Sequence, residues 1–296
     1  MNIYWPIYLN IESEVNKLMY AIHMSDDNKR VYSSIISDLI LRCSAEIESL
    51  SKELYRANGG TKVGNLAYDH DCLKFLDKNW NISKKKVYLT SVNCFFSQKE
   101  LTPFQKTVNR TGTEKPTYLW NNAYQNLKHD RGNSLSYGNV EALFEILAAL
   151  FVLNLYFTNI NYELGKDAAG TKIDWNLGSS IFSVSFYIPN QVPEDKSYFK
   201  TANFDSFLYI RIPDPTTHNV FVNAVLEQKQ KGNELMKKKL TENMQILAGM
   251  SREEIVEFCN ELKKDSIMEA FKLVGPKIYE TQNNITYVAE LNKNQI

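Results

Sequence analysis

The chain has 296 residues, 44% of them hydrophobic, and its 34 basic side chains balance 34 acidic ones. This composition excludes a disordered chain and is typical of a globular protein with one large or two medium domains. The net charge of zero also excludes the overall electrostatic attraction of a dedicated duplex-DNA-binding protein, so any contact with nucleic acid must come from a local patch.

The first half of the chain is predicted to be helical. Apolar residues spaced three and four apart indicate helices over residues 11–24 and 29–55, and Asn58-Gly59-Gly60 indicates the end of the second. A short helix is predicted over 72–79. Residues 86–96 are β-branched and aromatic enough for a strand, whose partner the sequence does not identify.

Two further helices are predicted over residues 118–129 and 139–157, and the second is apolar on nearly all sides. Such a helix belongs in the middle of a bundle. Residues 1–158 are therefore predicted to form an antiparallel bundle of four or more helices, with a long loop between the third and fourth. The run 146–157 is shorter than the ~18–20 apolar residues that cross a bilayer, so we expect no membrane association.

After a glycine- and alanine-containing segment, 163–171, the sequence predicts strands as well as helices. Strands are predicted over 180–188, 207–212 and 285–291, and a helix over 217–248 with a weak point at Gly232. Ser251 and Glu254 have the spacing of a capping box that opens another helix. Residues 172–296 are therefore predicted to be an α+β accessory domain with a small antiparallel sheet, in a chain that is mainly α.

The four cysteines are widely scattered, with no CxxC pair, and the sequence contains no recognisable secretory leader. This pattern is typical of free thiols in a reducing compartment, so the protein is predicted to be cytoplasmic.

The helix predicted over 118–129 has a polar stripe opposite its apolar face. The stripe consists of Asn122, Gln125, Asn126 and His129, which are spaced so that they lie in a row. Amide groups need hydrogen-bond partners once water is removed, so an amide-rich stripe is typical of a buried polar seam or a ligand surface.

The helix over 29–55 supplies a possible counterpart to this stripe, because polar residues flank its apolar seam: Arg42, Glu46, Ser49 and Glu53. If the two helices are neighbours, Glu46 or Glu53 would hold the His129 imidazole or pair with Lys128 and Arg131. Such a groove permits cleavage of RNA without a metal, because imidazole can take the proton of the 2′-hydroxyl group while a cation stabilises the charge on phosphorus.

Three segments within this helical half resemble bacterial proteins of the HEPN superfamily and their abortive-infection relatives: RCSAEIESLSKELY, W-x3-Y-Q-N-L-K-H-D-R and GNVEALFEILAALFVLNLYF. The resemblance implies a helical, usually dimeric bundle, whose active members are metal-independent ribonucleases of toxin–antitoxin and antiphage systems. Their motif is Arg, four to six residues, then His. His129 matches the histidine, but Asn122, Ala123 and Tyr124 stand where the arginine is expected, so Arg131 would have to supply the cation.

The leading hypothesis is a HEPN-like protein that cleaves or binds RNA in stress or phage defence, as a homodimer and without cofactor or metal. His129 would act as general base or acid, Lys128 and Arg131 would stabilise phosphate, and Glu46 would orient the imidazole. Binding would involve Arg42, Asn122, Gln125 and Asn126.

Other interpretations remain open. The chain would be a non-catalytic interaction or dimerisation module with a protein partner if the missing arginine has abolished cleavage. Alternatively, the second half is the functional part, or the basic residues at 128–131 only satisfy the end of a helix.

Three other motifs favour structural roles. The acidic Asp69-His70-Asp71 indicates a helix N-cap rather than a metal site. The segment 59–64 lacks the strand and the Gly-Lys-Ser/Thr ending of a phosphate loop, so it indicates a turn. Acidic residues interrupt the lysine cluster of 229–239, which is more typical of a solvated helix face than of an RNA-binding one.

Overall fold

A computed structural model describes residues 2–108, 116–189 and 200–294. The α-helices are α1 Tyr4–Ala21, α2 Ser34–Ala57, α3 Lys74–Trp80, α4 Leu119–His129, α5 Arg131–Ser134, α6 Val140–Thr158, α7 Pro215–Glu242, α8 Met244–Leu247 and α9 Arg252–Asn283. The strands are β1 Val87–Leu89, β2 Glu100–Leu101, β3 Lys106–Thr107, β4 Thr117–Tyr118, β5 Tyr162–Gly165, β6 Phe182–Val184, β7 Phe186–Tyr187, β8 Tyr209–Pro213 and β9 Tyr287–Leu291. The prediction of a mainly α protein with an α+β region is confirmed.

Local sequence signals determine where α2 and α6 begin and end. The Ser33 hydroxyl accepts a hydrogen bond from the Ile36 amide, and the Asn139 side chain accepts one from the Ala142 amide, which satisfies free N–H groups at both helix starts. Gly59 follows α2 with a φ of 89°, a conformation in which glycine is favoured. The predicted turn after this helix is confirmed.

The bundle consists of α1, α2, α4 and α6, and α6 lies in its middle. Helix α6 is long and apolar enough to cross a membrane, but 83% of its apolar stretch is buried inside the protein. The apolar stretch is longer than the run 146–157, because the helix begins at Val140 and its first turn is also buried. Burial on all sides confirms the prediction of a core helix.

The segment between α3 and α4 contains the strand whose partner the sequence does not identify. Only three residues of the predicted 86–96 form β1, which pairs antiparallel with β2 and with β6. Because β6 lies in the second half of the chain, this small sheet joins the two halves.

The second sheet has the strand order β5-β9-β8-β7. Three of its strands are antiparallel neighbours, which confirms the predicted small antiparallel sheet, and β7 adds an edge that runs parallel to β8. Ser185 alone separates β6 from β7, and a single extended stretch therefore contributes a strand to each sheet.

One hydrophobic core crosses the boundary predicted near residue 158. The core cluster contains residues of α1, α2 and α6 together with Phe182, Tyr209 and Leu291 from the second half. Tyr156, near the end of α6, donates a hydrogen bond to the Asn292 carbonyl over 2.8 Å. The predicted regions 1–158 and 172–296 therefore share a core. Residues 190–199 of the second region lie outside the described residues.

A long helical hairpin extends from the second sheet. The Asp214 side chain caps the start of α7, and the predicted capping box of Ser251 and Glu254 is confirmed at the start of α9. Ion pairs from Glu227 to Lys277 and from Lys239 to Glu269 show that α7 and α9 are antiparallel. Gly232, the predicted weak point, lies inside α7 and faces Ala270, where a small residue permits close helix packing.

Candidate functional site

The core face predicted for α4 is confirmed. Trp120, Ala123, Tyr124 and Leu127 are buried, and the Trp120 indole donates a hydrogen bond to the Pro103 carbonyl over 2.8 Å. The Trp120 ring also stacks on Tyr118, with ring centroids 5.3 Å apart. These contacts fix the orientation of α4, so its polar stripe faces outward in a defined direction.

The polar stripe divides into two parts. Gln125 lies on the side of α4 next to the π-helical segment Tyr68–Leu73, where its amide is 3.5 Å from both the Tyr68 hydroxyl and the Asn121 side-chain carbonyl. The Tyr68 hydroxyl donates a short hydrogen bond to the same carbonyl of Asn121. Gln125 thus belongs to a structural polar seam, and burial raises the pKa of Tyr68.

Asn122 and Asn126 line a cleft of about 710 Å³, here called the α4 cleft. Their amides are joined, because the Asn126 side chain donates to the Asn122 side-chain oxygen over 3.1 Å and to its backbone carbonyl over 2.8 Å. The other lining residues within the described part of the chain are Arg30, Tyr32, Thr107, Val108, Thr117, Leu119, Ala123, Ser136, Tyr137, Asn139, Glu141 and Ala142.

Backbone pairing between the chain before α2 and the start of α6 forms the floor of the α4 cleft. Tyr32 and Asn139 form an isolated antiparallel bridge, and the Val140 amide donates to the Val31 carbonyl over 3.0 Å. This pairing fixes Arg30, Tyr32 and Asn139 opposite the amides of α4. The cleft therefore brings residues 30–32 together with lining residues between 107 and 142, about 75 or more residues further along the chain.

The α4 cleft offers amide, aromatic and cationic groups. Tyr32 and Tyr137 are 52% and 41% exposed, so a face of each ring is accessible to a planar ligand. The Arg30 side chain is exposed and has no hydrogen-bond or ion-pair partner among the described residues. Glu141 is the one carboxylate among the described lining residues.

The predicted catalytic residues at the end of α4 are exposed. His129 lies one turn beyond Asn126 on the same stripe, outside the cleft lining, and has no partner among the described residues. The Lys128 ammonium lies 5.3 Å from the centre of the Tyr124 ring. Arg131 donates to the Asp38 carboxylate over 2.5 Å, so its charge is already paired.

Helices α2 and α4 are neighbours, but no hydrogen bond or ion pair joins Glu46 to His129 among the described residues. Arg42, one turn before Glu46, donates to the Asn10 side chain over 2.7 Å, and Ser49 lies 2.9 Å from the Tyr4 hydroxyl. These contacts direct this stripe of α2 toward α1 rather than α4.

Glu46 consequently has a different environment from the one predicted. Burial raises the pKa of its carboxyl group, and the charge of Arg42 partly lowers it. The role of Glu46 as an orienter of His129 stays a prediction.

The acidic motif at 69–71 also differs from its prediction. The short helix begins after Ala67, and Asp69 does not cap it. Asp71 instead accepts hydrogen bonds from the Ala67 amide and the Lys62 ammonium group, and both interactions lower the pKa of its carboxyl group.

The lysine cluster on α7 has acidic neighbours. Lys231 and Lys239 form ion pairs of 3.1 and 3.0 Å, and Lys238 lies 3.9 Å from Glu242. These pairs leave a largely neutralised helix face, which fits the prediction of a solvated surface better than that of an RNA-binding one.

The sequence predicted two residues of the α4 cleft, Asn122 and Asn126, and missed Arg30, Tyr32, Tyr137 and Asn139. Asn139 had a recognisable signal as the N-cap of α6. The two tyrosines and the arginine belong to no periodic pattern, and only the bridge between Tyr32 and Asn139 brings them to the site.

Searches with protein-family models, of curated proteins and of solved structures found no match to this chain. The resemblance to the HEPN superfamily and the homodimer that it implies stay predictions.

Proposed function

We propose that the protein binds single-stranded RNA in the α4 cleft. The lining of this cleft supports the proposal: two accessible tyrosine rings, three asparagine side chains and one arginine without a partner among the described residues surround a volume of about 710 Å³. Exposed bases stack on aromatic rings, amides pair with base edges, and arginine pairs with phosphate.

Single-stranded RNA fits this lining better than a duplex does. A duplex presents two rows of phosphates and buries its base faces, so its recognition requires many cations. The chain has no net charge, and Arg30 is the one cationic residue of the described lining. The cleft instead has groups for bases, which only an unpaired strand exposes on its faces and edges.

Replacement of Tyr137 by alanine tests the proposal. We expect Tyr137→Ala to weaken the binding of a short single-stranded RNA of mixed sequence by about 5- to 100-fold, because one base–ring stacking contact contributes about 1–3 kcal/mol. Fluorescence anisotropy with a labelled oligonucleotide measures the dissociation constant.

Tyr20→Ala is the matched control for this measurement. Tyr20 is 95% exposed on α1 and does not line the α4 cleft, so its removal should leave the affinity unchanged. Equal losses in the two variants, or no binding by the unaltered protein, would overturn the proposal.

A second candidate function is metal-independent cleavage of the bound RNA. The observation that favours it is the position of His129 at the end of the stripe whose Asn122 and Asn126 line the cleft. A strand that leaves the cleft along α4 would pass this exposed imidazole. The imidazole would take the proton of a 2′-hydroxyl group, whose oxygen would attack the adjacent phosphorus and form a 2′,3′-cyclic phosphate. The P–O5′ bond would break, the leaving 5′-oxygen would take a proton from water, and Lys128 would stabilise the charge on phosphorus.

Replacement of His129 tests this second candidate. We expect His129→Ala to reduce cleavage of RNA in EDTA by about 100-fold or more, because general acid–base catalysis contributes about 10²–10⁴-fold. The measurement is the initial rate of cleavage of a labelled strand.

His70→Ala is the control, since His70 is 81% exposed on a different segment. Cleavage that persists in His129→Ala removes His129 from the reaction. Binding without cleavage by the unaltered protein would establish the non-catalytic alternative.

A further inference from the structure

Glu141 also lines a second, smaller cavity, which we call the Glu145 pocket. Its volume is about 80 Å³, and half of its lining residues are apolar: Leu89 and Leu101 of the first sheet, Phe96, and Phe144 of α6. Its polar lining consists of Lys29, Gln98, Glu141 and Glu145. A cavity of this size holds a few non-hydrogen atoms rather than a nucleotide.

Glu145 has no hydrogen-bond or ion-pair partner among the described residues. Its side chain lines the pocket and is only partly exposed, and an ionised group without a partner is costly where water is largely excluded. Burial raises the pKa of Glu145 to about 7, and the negative charge of Glu141, one helical turn away, contributes in the same direction. Both protonation states of the carboxyl group are therefore populated at neutral pH.

The charged groups around the pocket leave it with an excess of negative charge. Lys29 pairs with Asp26 over 2.8 Å, and its ammonium lies 5.7 Å from the centre of the Phe96 ring. On the strand side, Glu100 pairs with Lys86 over 2.8 Å. Each of these pairs is neutral as a whole, whereas Glu141 and Glu145 have no ion-pair partner among the residues that the structure describes.

We propose that the Glu145 pocket binds the ammonium group of a primary alkylamine. The carboxylates of Glu145 and Glu141 would face the ammonium group, and the rings of Phe96 and Phe144, whose centroids are 5.3 Å apart, would surround it. The aliphatic walls suit an alkyl stem. An alkylammonium ion would supply the ion-pair partner that Glu145 does not have among the described residues. The size of such an ion also matches the cavity.

Butylammonium is the probe for this site, and butanol is its neutral counterpart. We expect butylammonium to bind the full chain, as measured by calorimetry and by the ¹³C shift of the Glu145 carboxyl group. The affinity should rise about tenfold between pH 6 and pH 8, because the ionised fraction of a group with a pKa of about 7 rises tenfold over this range. The alkylammonium stays protonated throughout, as a lysine does.

Glu145→Gln keeps the shape of the side chain and removes its charge. This variant should fold, since it relieves the burial of an unpaired carboxylate, and thermal unfolding checks this. We expect it to lose butylammonium binding and the pH dependence. Butanol binding with the same affinity, unchanged binding in Glu145→Gln, or no binding at millimolar probe would each overturn the proposal.

An Nα-acetyl-lysine amide probe distinguishes the two sources of an ammonium group. Binding of this probe indicates a lysine side chain of another protein, and binding of butylammonium alone indicates a free amine. The site and its test do not depend on RNA binding in the α4 cleft.

Discussion

Replacement of Lys85 by methionine is expected to raise the free energy of unfolding at pH 7 by about 4 kcal/mol. Lys85 is fully buried, and this burial lowers the pKa of its ammonium group to about 7, although the charge of Asp205 opposes the shift. In the unfolded chain the same group titrates near 10.4. At pH 7 Lys85 is therefore fully protonated in the unfolded chain but only partly protonated in the folded one, so folding releases part of a proton.

The sign of the pH dependence follows from this depressed pKa. Below pH 7 Lys85 is protonated in both the folded and the unfolded chain, and its buried charge lowers the free energy of unfolding by the full amount. Between pH 7 and about 10.4 the unfolded chain binds more protons than the folded one, so the free energy of unfolding rises with pH. The free energy of unfolding of Lys85→Met should therefore exceed that of the unaltered protein by about 4 kcal/mol at pH 7 and by about 2 kcal/mol at pH 9. Urea unfolding at the two pH values measures the difference.

The methionine leaves no unsatisfied group behind. Lys85 donates to the Phe207 carbonyl over 3.1 Å, and the Asn292 side chain donates to the same oxygen over 3.1 Å, so this carbonyl keeps a partner. Lys84→Met is the control, because Lys84 is exposed and its ion pair with Asp205 should contribute less than about 1 kcal/mol. A destabilised Lys85→Met protein, or a gain independent of pH, would contradict the expected linkage.

The elements that the sequence predicts well are those with local signals. The stretch 29–55 carries its apolar stripe and its glycine stop in its own residues, and the capping box of Ser251 and Glu254 is complete within four residues. The start of α1 is different: the prediction began at residue 11, whereas the helix begins at Tyr4. Pro6 lies in its first turn, where proline is tolerated, and it breaks no hydrogen bond there.

The predictions that fail concern neighbours in space. Periodicity shows which face of α2 is apolar, but it does not determine which helix covers each flank: Arg42 and Ser49, on either side of Glu46, contact α1. One partner of β1, the strand β6, lies about 95 residues further along the chain. The α4 cleft depends in the same way on the bridge between Tyr32 and Asn139.

Replacement of Glu12 by alanine is expected to lower the free energy of unfolding by about 3 kcal/mol or more. The Glu12 carboxylate is 3% exposed and accepts hydrogen bonds from Tyr8 over 2.6 Å, from the Ser180 amide over 3.0 Å and from the Ser180 hydroxyl over 3.1 Å. The Ser179 hydroxyl donates a further, short hydrogen bond to it. Alanine removes the acceptor and leaves the buried hydroxyl groups of Tyr8 and Ser179 without it. We expect this loss to exceed the stability gained by removing a buried carboxylate.

Two variants separate this network from a general effect on α1. Tyr8→Phe removes one donor and should cost about 1–2 kcal/mol, whereas Glu14→Ala removes an exposed partner of Lys17 and should change stability by less than about 0.5 kcal/mol. Urea unfolding followed by far-UV circular dichroism measures all three. A loss below 1 kcal/mol in Glu12→Ala would show that the network contributes little.

The Glu12 network also tests whether the two predicted regions unfold together. Its carboxylate lies on α1, and the donors Ser179 and Ser180 lie just before β6, so the hydrogen bonds cross from the bundle to the second half. Because one core cluster spans both, we expect one cooperative transition in the unaltered chain and in Glu12→Ala. Two separate transitions in the unaltered chain would mean that residues 1–158 unfold independently of the rest, despite the shared core.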